Sequence, residues 1–316
     1  MVRKVSIVQF THPGGEHAVS RKELANGVKE WNYGGHKRKF LKAVGQYVMD
    51  NGTLSPKQDL LFWGEWEPTS KVKSLKCLEK TAVMPNFIHE PFLTRSANGL
   101  VLPPWKNGKF ITRNGKKEPC KRQNTDPFVF GEYFLYSCCK QRKKIKNSTL
   151  TSFTKLGELE KGSVILFGST ISEKQGGPYF VLDTVFVVGD YKNYNSMNSP
   201  IDLKGFVPSD YFDIMGFTNW DPVNDFVCYK GATVSNPFDG MFSFVPCKPF
   251  DSANTRFPRV KLTSTDLGFI SDNLNAAPKF RDDLPIKDLW NKVCDVVRQQ
   301  GFELGVNFDY QYEGTI

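Results

Sequence analysis

The sequence predicts an α+β protein: a mixed sheet with a basic, α/β-like N-terminal half and a β-rich C-terminal half closed by a C-terminal helix. Three observations carry this expectation. Apolar, β-branched runs recur along the chain, the strongest being GGPYFVLDTVFVVGDY at 176–191. The segment LPIKDLWNKVCDVVRQQG at 284–301 places Leu289, Val293, Val296 and Val297 on one helical face, with Gly301 as its stop. The charge also changes sign near residue 150. Residues 1–150 hold 27 Lys+Arg against 12 Asp+Glu, a net of +15, and residues 151–316 hold 15 against 21, a net of −6.

Taken in order, residues 5–10 (VSIVQF) read as a first strand that stops at Thr11-His12-Pro13-Gly14-Gly15-Glu16-His17. SRKELANGVKEW follows as a short helix, with Ser20 as N-cap and Glu23 three residues on. The spacing of Phe40, Leu41, Val44, Tyr47 and Val48 predicts a second helix over 37–52, stopped by Asn51-Gly52. QDLLFWGEWEP reads as a buried strand that breaks at Gly64 and ends at Pro68. Asn114-Gly115 marks a hairpin within KFITRNGKKEP. Strands are expected at Val164 to Phe167, through 176–191, and in DFVCYKGAT and GMFSFVPCK. The expected domains are 1–150 and 151–316, unless the two halves share one sheet.

With 316 residues, 40% of them hydrophobic, the chain can bury one large core or two ordinary ones. No apolar run has the length of a membrane span, and the N-terminus lacks the features of a signal peptide. The seven cysteines are odd in number, scattered apart from Cys138-Cys139, and without a CxxC pair. They point to reduced thiols and a cytoplasmic setting rather than disulfides or a zinc ribbon. There is no P-loop, no GxGxxG after a strand and no nucleophile elbow, so no cofactor is expected.

The basic half attracts a polyanion, and nucleic acid is the expected partner. Candidate contacts are Lys37, Arg38, Lys39, Lys116, Lys117, Lys121, Arg122, Arg142, Lys143 and Lys144, with Trp66 as a stacking platform for a base. All four histidines lie in the first 90 residues. His12, Glu16 and His17 on the Pro-Gly-Gly loop, with His36, Glu65 and Glu67, supply imidazoles and carboxylates for proton transfer. For His89 the expected role is structural.

Asp126 sits in the most basic stretch, where its ionised form suits orienting a water or stabilising a cation. Asn124-Thr125-Asp126-Pro127-Phe128 resembles the water-activating Gly-Gln-Asp-Pro-Tyr loop of uracil-DNA glycosylases. The resemblance covers five residues. No buried strand precedes it and no histidine follows residue 89, so it assigns no family. The expectation is an enzyme acting on a nucleobase or its N-glycosidic bond. Two alternatives stand beside it: a reader with a base-binding β-barrel, and a nuclease using His12, Glu16, His17 and His36 as metal ligands.

Overall fold

The computed structural model describes residues 3–35, 37–75, 84–96, 99–102, 110–113, 116–119, 122–148, 150–173, 177–215, 224–253, 257–270 and 279–314. It is an α+β fold built on two large sheets. The first runs in the order Leu135–Tyr136, Asp225–Gly231, Gly177–Asn195, Val164–Glu173, Ile7–His12, Lys279–Arg281, with Val260–Leu262 beside Gly177–Asn195. Ile7–His12 is fully buried and lies parallel to Val164–Glu173, from Ile7↔Val164 to His12↔Ser169. An apolar run covered on both faces is what such a position requires.

The second sheet is ordered Glu303–Val306, Val245–Pro249, Gln58–Gly64, Lys39–Val48, Phe87–Ser96, Ser70–Ser74, Val28–Lys29. Glu303–Val306 also pairs with Lys39–Val48, which closes its first four strands into a small barrel. Both sheets draw strands from either side of residue 150.

Three sequence expectations hold in detail. Ser20 and Glu23 form a reciprocal capping box on the helix Arg21–Asn26, and Gly27 closes that helix at φ 68°. The long run becomes the strand Gly177–Asn195. The C-terminal helix Ile286–Gln299 buries Leu289, Trp290, Val293, Cys294 and Val297, and the Trp290 indole N–H donates to the Phe242 carbonyl at 3.1 Å.

The helix expected over 37–52 is a ten-residue strand, Lys39–Val48, instead. It runs antiparallel to Gln58–Gly64, with Lys39↔Gly64 through Gly45↔Gln58 in register. The same apolar spacing serves a strand covered on both sides, and Phe40, Val44, Tyr47 and Val48 are all strand formers. Gly45 decides the matter locally. A Cβ there would meet the Phe308 ring at 2.9 Å and Leu60 at 3.1 Å, so the barrel closes only around a bare backbone. Among the described residues, no helix is long and apolar enough to cross a membrane.

Candidate functional site

The ends of several strands meet in one buried polar cluster. His12 ends Ile7–His12, Arg38 precedes Lys39–Val48, and Glu65 follows Gln58–Gly64. The fourth member, Asp183, comes from the acidic half. Register along Val164–Glu173 and Gly177–Asn195 passes from Phe167↔Thr184 to Gly168↔Leu182, so Asp183 is the extra residue of a β-bulge. A bulge re-aims a side chain. It also forces glycine opposite: a Cβ on Gly168 would lie 2.1 Å from the Val181 carbonyl.

Asp183 stands between two buried arginines. Its Oδ2 accepts from Arg38 Nε at 2.7 Å and from Arg259 Nη2 at 2.7 Å. Arg259 also donates to the Gly14 carbonyl at 2.9 Å and to Ser169 Oγ at 3.1 Å, which anchors the Pro-Gly-Gly loop to the sheet. Arg38 completes the ladder by donating to Glu65 Oε1 and approaching His12 Nδ1. Burial works against the Arg38 cation, but Glu65 and Asp183 outweigh it and raise its pKa above the usual value.

This places His12 Nδ1 between a donor and an acceptor. In the neutral ring, Nδ1 accepts from Arg38, which leaves the proton on Nε2. On protonation, Nδ1 donates to Glu65 Oε1, already 3.0 Å away. From the protonated ring, Nε2 can give a proton and later take one back while Nδ1–H stays on Glu65. A carboxylate that orients an imidazole is the arrangement general acid–base chemistry needs.

A second pair lies alongside. His17 Nε2 is 3.4 Å from Glu67 Oε1, and Glu67 Oε2 accepts from Asn32 Nδ2 at 2.6 Å. The Glu67 amide donates to Thr125 Oγ1 at 3.0 Å, and the Asp126 amide donates to Glu65 Oε2 at 3.0 Å. The 125–126 turn thus holds both glutamates. The loop itself is tied down by backbone bonds from His17 to Arg38 at 2.8 Å and from Arg38 to Gly15 at 2.9 Å.

Behind this pair lie His89 and Lys39, both fully buried. His89 Nδ1 is 3.0 Å from Ser70 Oγ, which fits the structural role expected of it. Its pKa falls well below the usual value through burial and the nearby Lys39, His17 and Lys29 charges. Burial likewise pushes the Lys39 amine from 10.5 down to about 7, although Glu67 opposes the shift. The folded amine binds its proton more weakly than the unfolded one, so stability rises with pH between about 7 and 10.5. Denaturant midpoints across that window are expected to climb in wild type, and Lys39→Met is expected to remove this contribution and to be more stable near neutrality. An identical pH slope in the variant would remove Lys39 as its source.

The remaining candidates fall elsewhere. Glu16 turns away from the histidines, and its carboxylate accepts from the Asn86 and Phe87 amides and from Asn86 Nδ2, so it clamps a neighbouring loop. The Asp126 carboxylate is fully buried and accepts from the Ser137, Cys138 and Cys139 amides at 2.8–2.9 Å, which makes it an organiser of that turn. Trp66, expected to stack on a base, has no exposed surface, and its indole N–H donates to the Thr69 carbonyl at 2.7 Å. Arg38 and Lys39 are interior, so of the basic trio only Lys37 faces solvent.

Arg142 is committed internally, with bonds to Thr151 and to the Asp225 carbonyl at 2.7–2.9 Å. Lys143 and Lys144 are exposed, and Arg122 is half-buried over Trp31. His36 and Lys121, and the side chains of Lys116 and Lys117, lie outside the described residues.

Asp183, Arg259 and Asn32 belong to the site and were not among the sequence candidates. A further cation joins them: Lys140 Nζ donates to the Thr11 carbonyl at 2.6 Å beside His12. In the barrel strands, a Cβ on Gly45 or Gly305 would meet the Phe308 ring at 2.9 or 2.6 Å. Among the described residues, His12, Glu16 and His17 form no metal-ligating group. No family model, curated protein or solved structure matches this chain.

Proposed function

We propose that the chain is a cytoplasmic enzyme that removes or modifies a nucleobase in nucleic acid, with His12 and Glu65 as its proton-transfer pair. The observation that carries this reading is the 3.0 Å approach of Glu65 to His12 Nδ1 within a cluster that also buries Arg38, Asp183 and Arg259. Burying so many charges is expensive, and apolar residues of the same volume would stabilise a fold at least as well. Such clusters are characteristic of sites that tune protonation.

The chemistry follows from the pair. A base leaves its sugar more readily when a proton reaches it, and the protonated His12 supplies one from Nε2 while its Nδ1–H stays on Glu65. For base modification, the neutral tautomer with its proton on Nδ1, donated to Glu65, withdraws a proton at Nε2. His17 and Glu67 form a second such pair, and Lys37 and Lys140 supply positive charge next to the loop that carries both histidines. The five described cysteines are unpaired thiols, in keeping with a reducing compartment.

The test is incubation with modified and unmodified DNA and RNA, followed by mass analysis of free bases and of digested nucleosides. A released base or a base of altered mass is expected. Salt-dependent binding without either product would make the protein a reader.

Binding has its own expected outcome. Because Arg142 is held internally, the exposed Lys143 and Lys144 are the residues to reverse. Lys143→Glu with Lys144→Glu is expected to weaken binding and to flatten the log K against log salt slope by about one unit for each phosphate no longer neutralised. An unchanged slope would remove this strand from the interface.

A further inference from the structure

We propose that Asp126, Cys138 and Cys139 form a site for a thiolate-seeking divalent ion, zinc by preference. This inference is independent of the base-chemistry reading. The site is built by a short β ladder. Phe128 and Leu135 exchange backbone hydrogen bonds at 2.8 Å, which brings the residue before Pro127 against the turn after Tyr136. Side chains on consecutive residues diverge along a strand. In this turn the two sulfurs instead lie 4.0 Å apart. Two zinc–sulfur bonds of about 2.3 Å at a tetrahedral angle put their sulfurs about 3.8 Å apart.

The third donor is in place. Asp126 Oδ2 is 3.0 Å from Cys138 Sγ, and the ligand atoms of all three residues lie within 4.8 Å of one another. The 3.0 Å contact is a thiol hydrogen bond, and the ion replaces its proton. Both thiol protons pass to solvent as the thiolates bind, and no electrons move.

The surroundings fit a charged metal centre. Asn124 Nδ2 donates to Cys138 Sγ at 2.8 Å, and the Ser137, Cys138 and Cys139 amides fix the carboxylate. Donors of this kind orient ligands and support the charge on them. Two thiolates and a carboxylate favour zinc over the oxygen-seeking magnesium and calcium. Cys138 and Cys139 are half-buried residues, and three protein donors leave one tetrahedral position for water.

Full-length protein, stripped with chelator and loaded with cobalt(II), reports the site by a thiolate-to-cobalt charge-transfer band. Stoichiometric retention of zinc after gel filtration is expected, and Cys138→Ser and Cys139→Ser are each expected to lose band and zinc while His12→Gln keeps both. Should the serine variants fail to fold, zinc is still expected to protect these two thiols of native wild type from alkylation. A folded wild type that holds no stoichiometric zinc, a band that persists in both serine variants, or alkylation unaffected by zinc would each overturn the proposal.

Discussion

Asp183→Ala is expected to destabilise the fold by about 3–5 kcal/mol, the range for breaking one partner out of a buried ion network. Asp183 is 3% exposed and is the only described acid bonded to Arg259, whose side chain has no exposed surface. Its removal leaves Arg259 with the neutral acceptors Gly14 and Ser169, and takes from Arg38 one of its two carboxylates. Two like charges then face each other in a dry interior. The loop anchored through Gly14 loses its support at the same time, so activity is expected to fall with stability. The urea midpoint at constant slope is the measurement. A change within about 0.5 kcal/mol, the range of ordinary surface substitutions, would mean that this ladder does not hold the two sheets together.

His12→Gln is expected to lower turnover by ~10²–10⁴, the range for loss of a general acid or base. Glutamine can accept a hydrogen bond from Arg38 but cannot give a proton to a substrate or take one from it. Because His12 is nearly buried and touches Arg38, the substitution is not silent structurally, and a cost of about 1–3 kcal/mol is expected wherever the glutamine leaves that donor unpaired. Thermal or urea unfolding beside single-turnover rates separates the two effects: a folded His12→Gln protein with wild-type turnover removes His12 from the chemistry.

Local signals were legible in the sequence, and long-range partnerships were not. Ser20 with Glu23, the Gly177–Asn195 strand and the amphipathic Ile286–Gln299 helix are each specified by residues within a few positions of one another. Lys39–Val48 is specified by what it meets, Gln58–Gly64 on one side and Glu303–Val306 from the far end of the chain, and its spacing alone suits a helix equally well.

The site divides in the same way. His12, His17, Glu65 and Glu67 stood out as polar groups at strand ends, but their cross-pairing, His12 with Glu65 and His17 with Glu67, is a property of the folded sheets. Asp183 lies inside the most apolar run of the chain, in the half whose net negative charge points away from a polyanion. A lone carboxylate in an otherwise apolar strand was the one signal it gave. Lys37-Arg38-Lys39 shows the opposite failure. A basic run reads as a surface, yet Arg38 meets the bulged Asp183 and Lys39 packs behind Glu67, and only the three-dimensional partners distinguish these fates.

The most direct test of the central claim is a double-substitution cycle on single-turnover base release or modification, with His12→Gln, Glu65→Gln and the two combined. Groups that act as one unit lose nearly everything at the first removal. The account predicts that each single variant and the double lose a similar factor, with binding and its salt slope retained. Losses that multiply, or wild-type rates in either single variant, would contradict it.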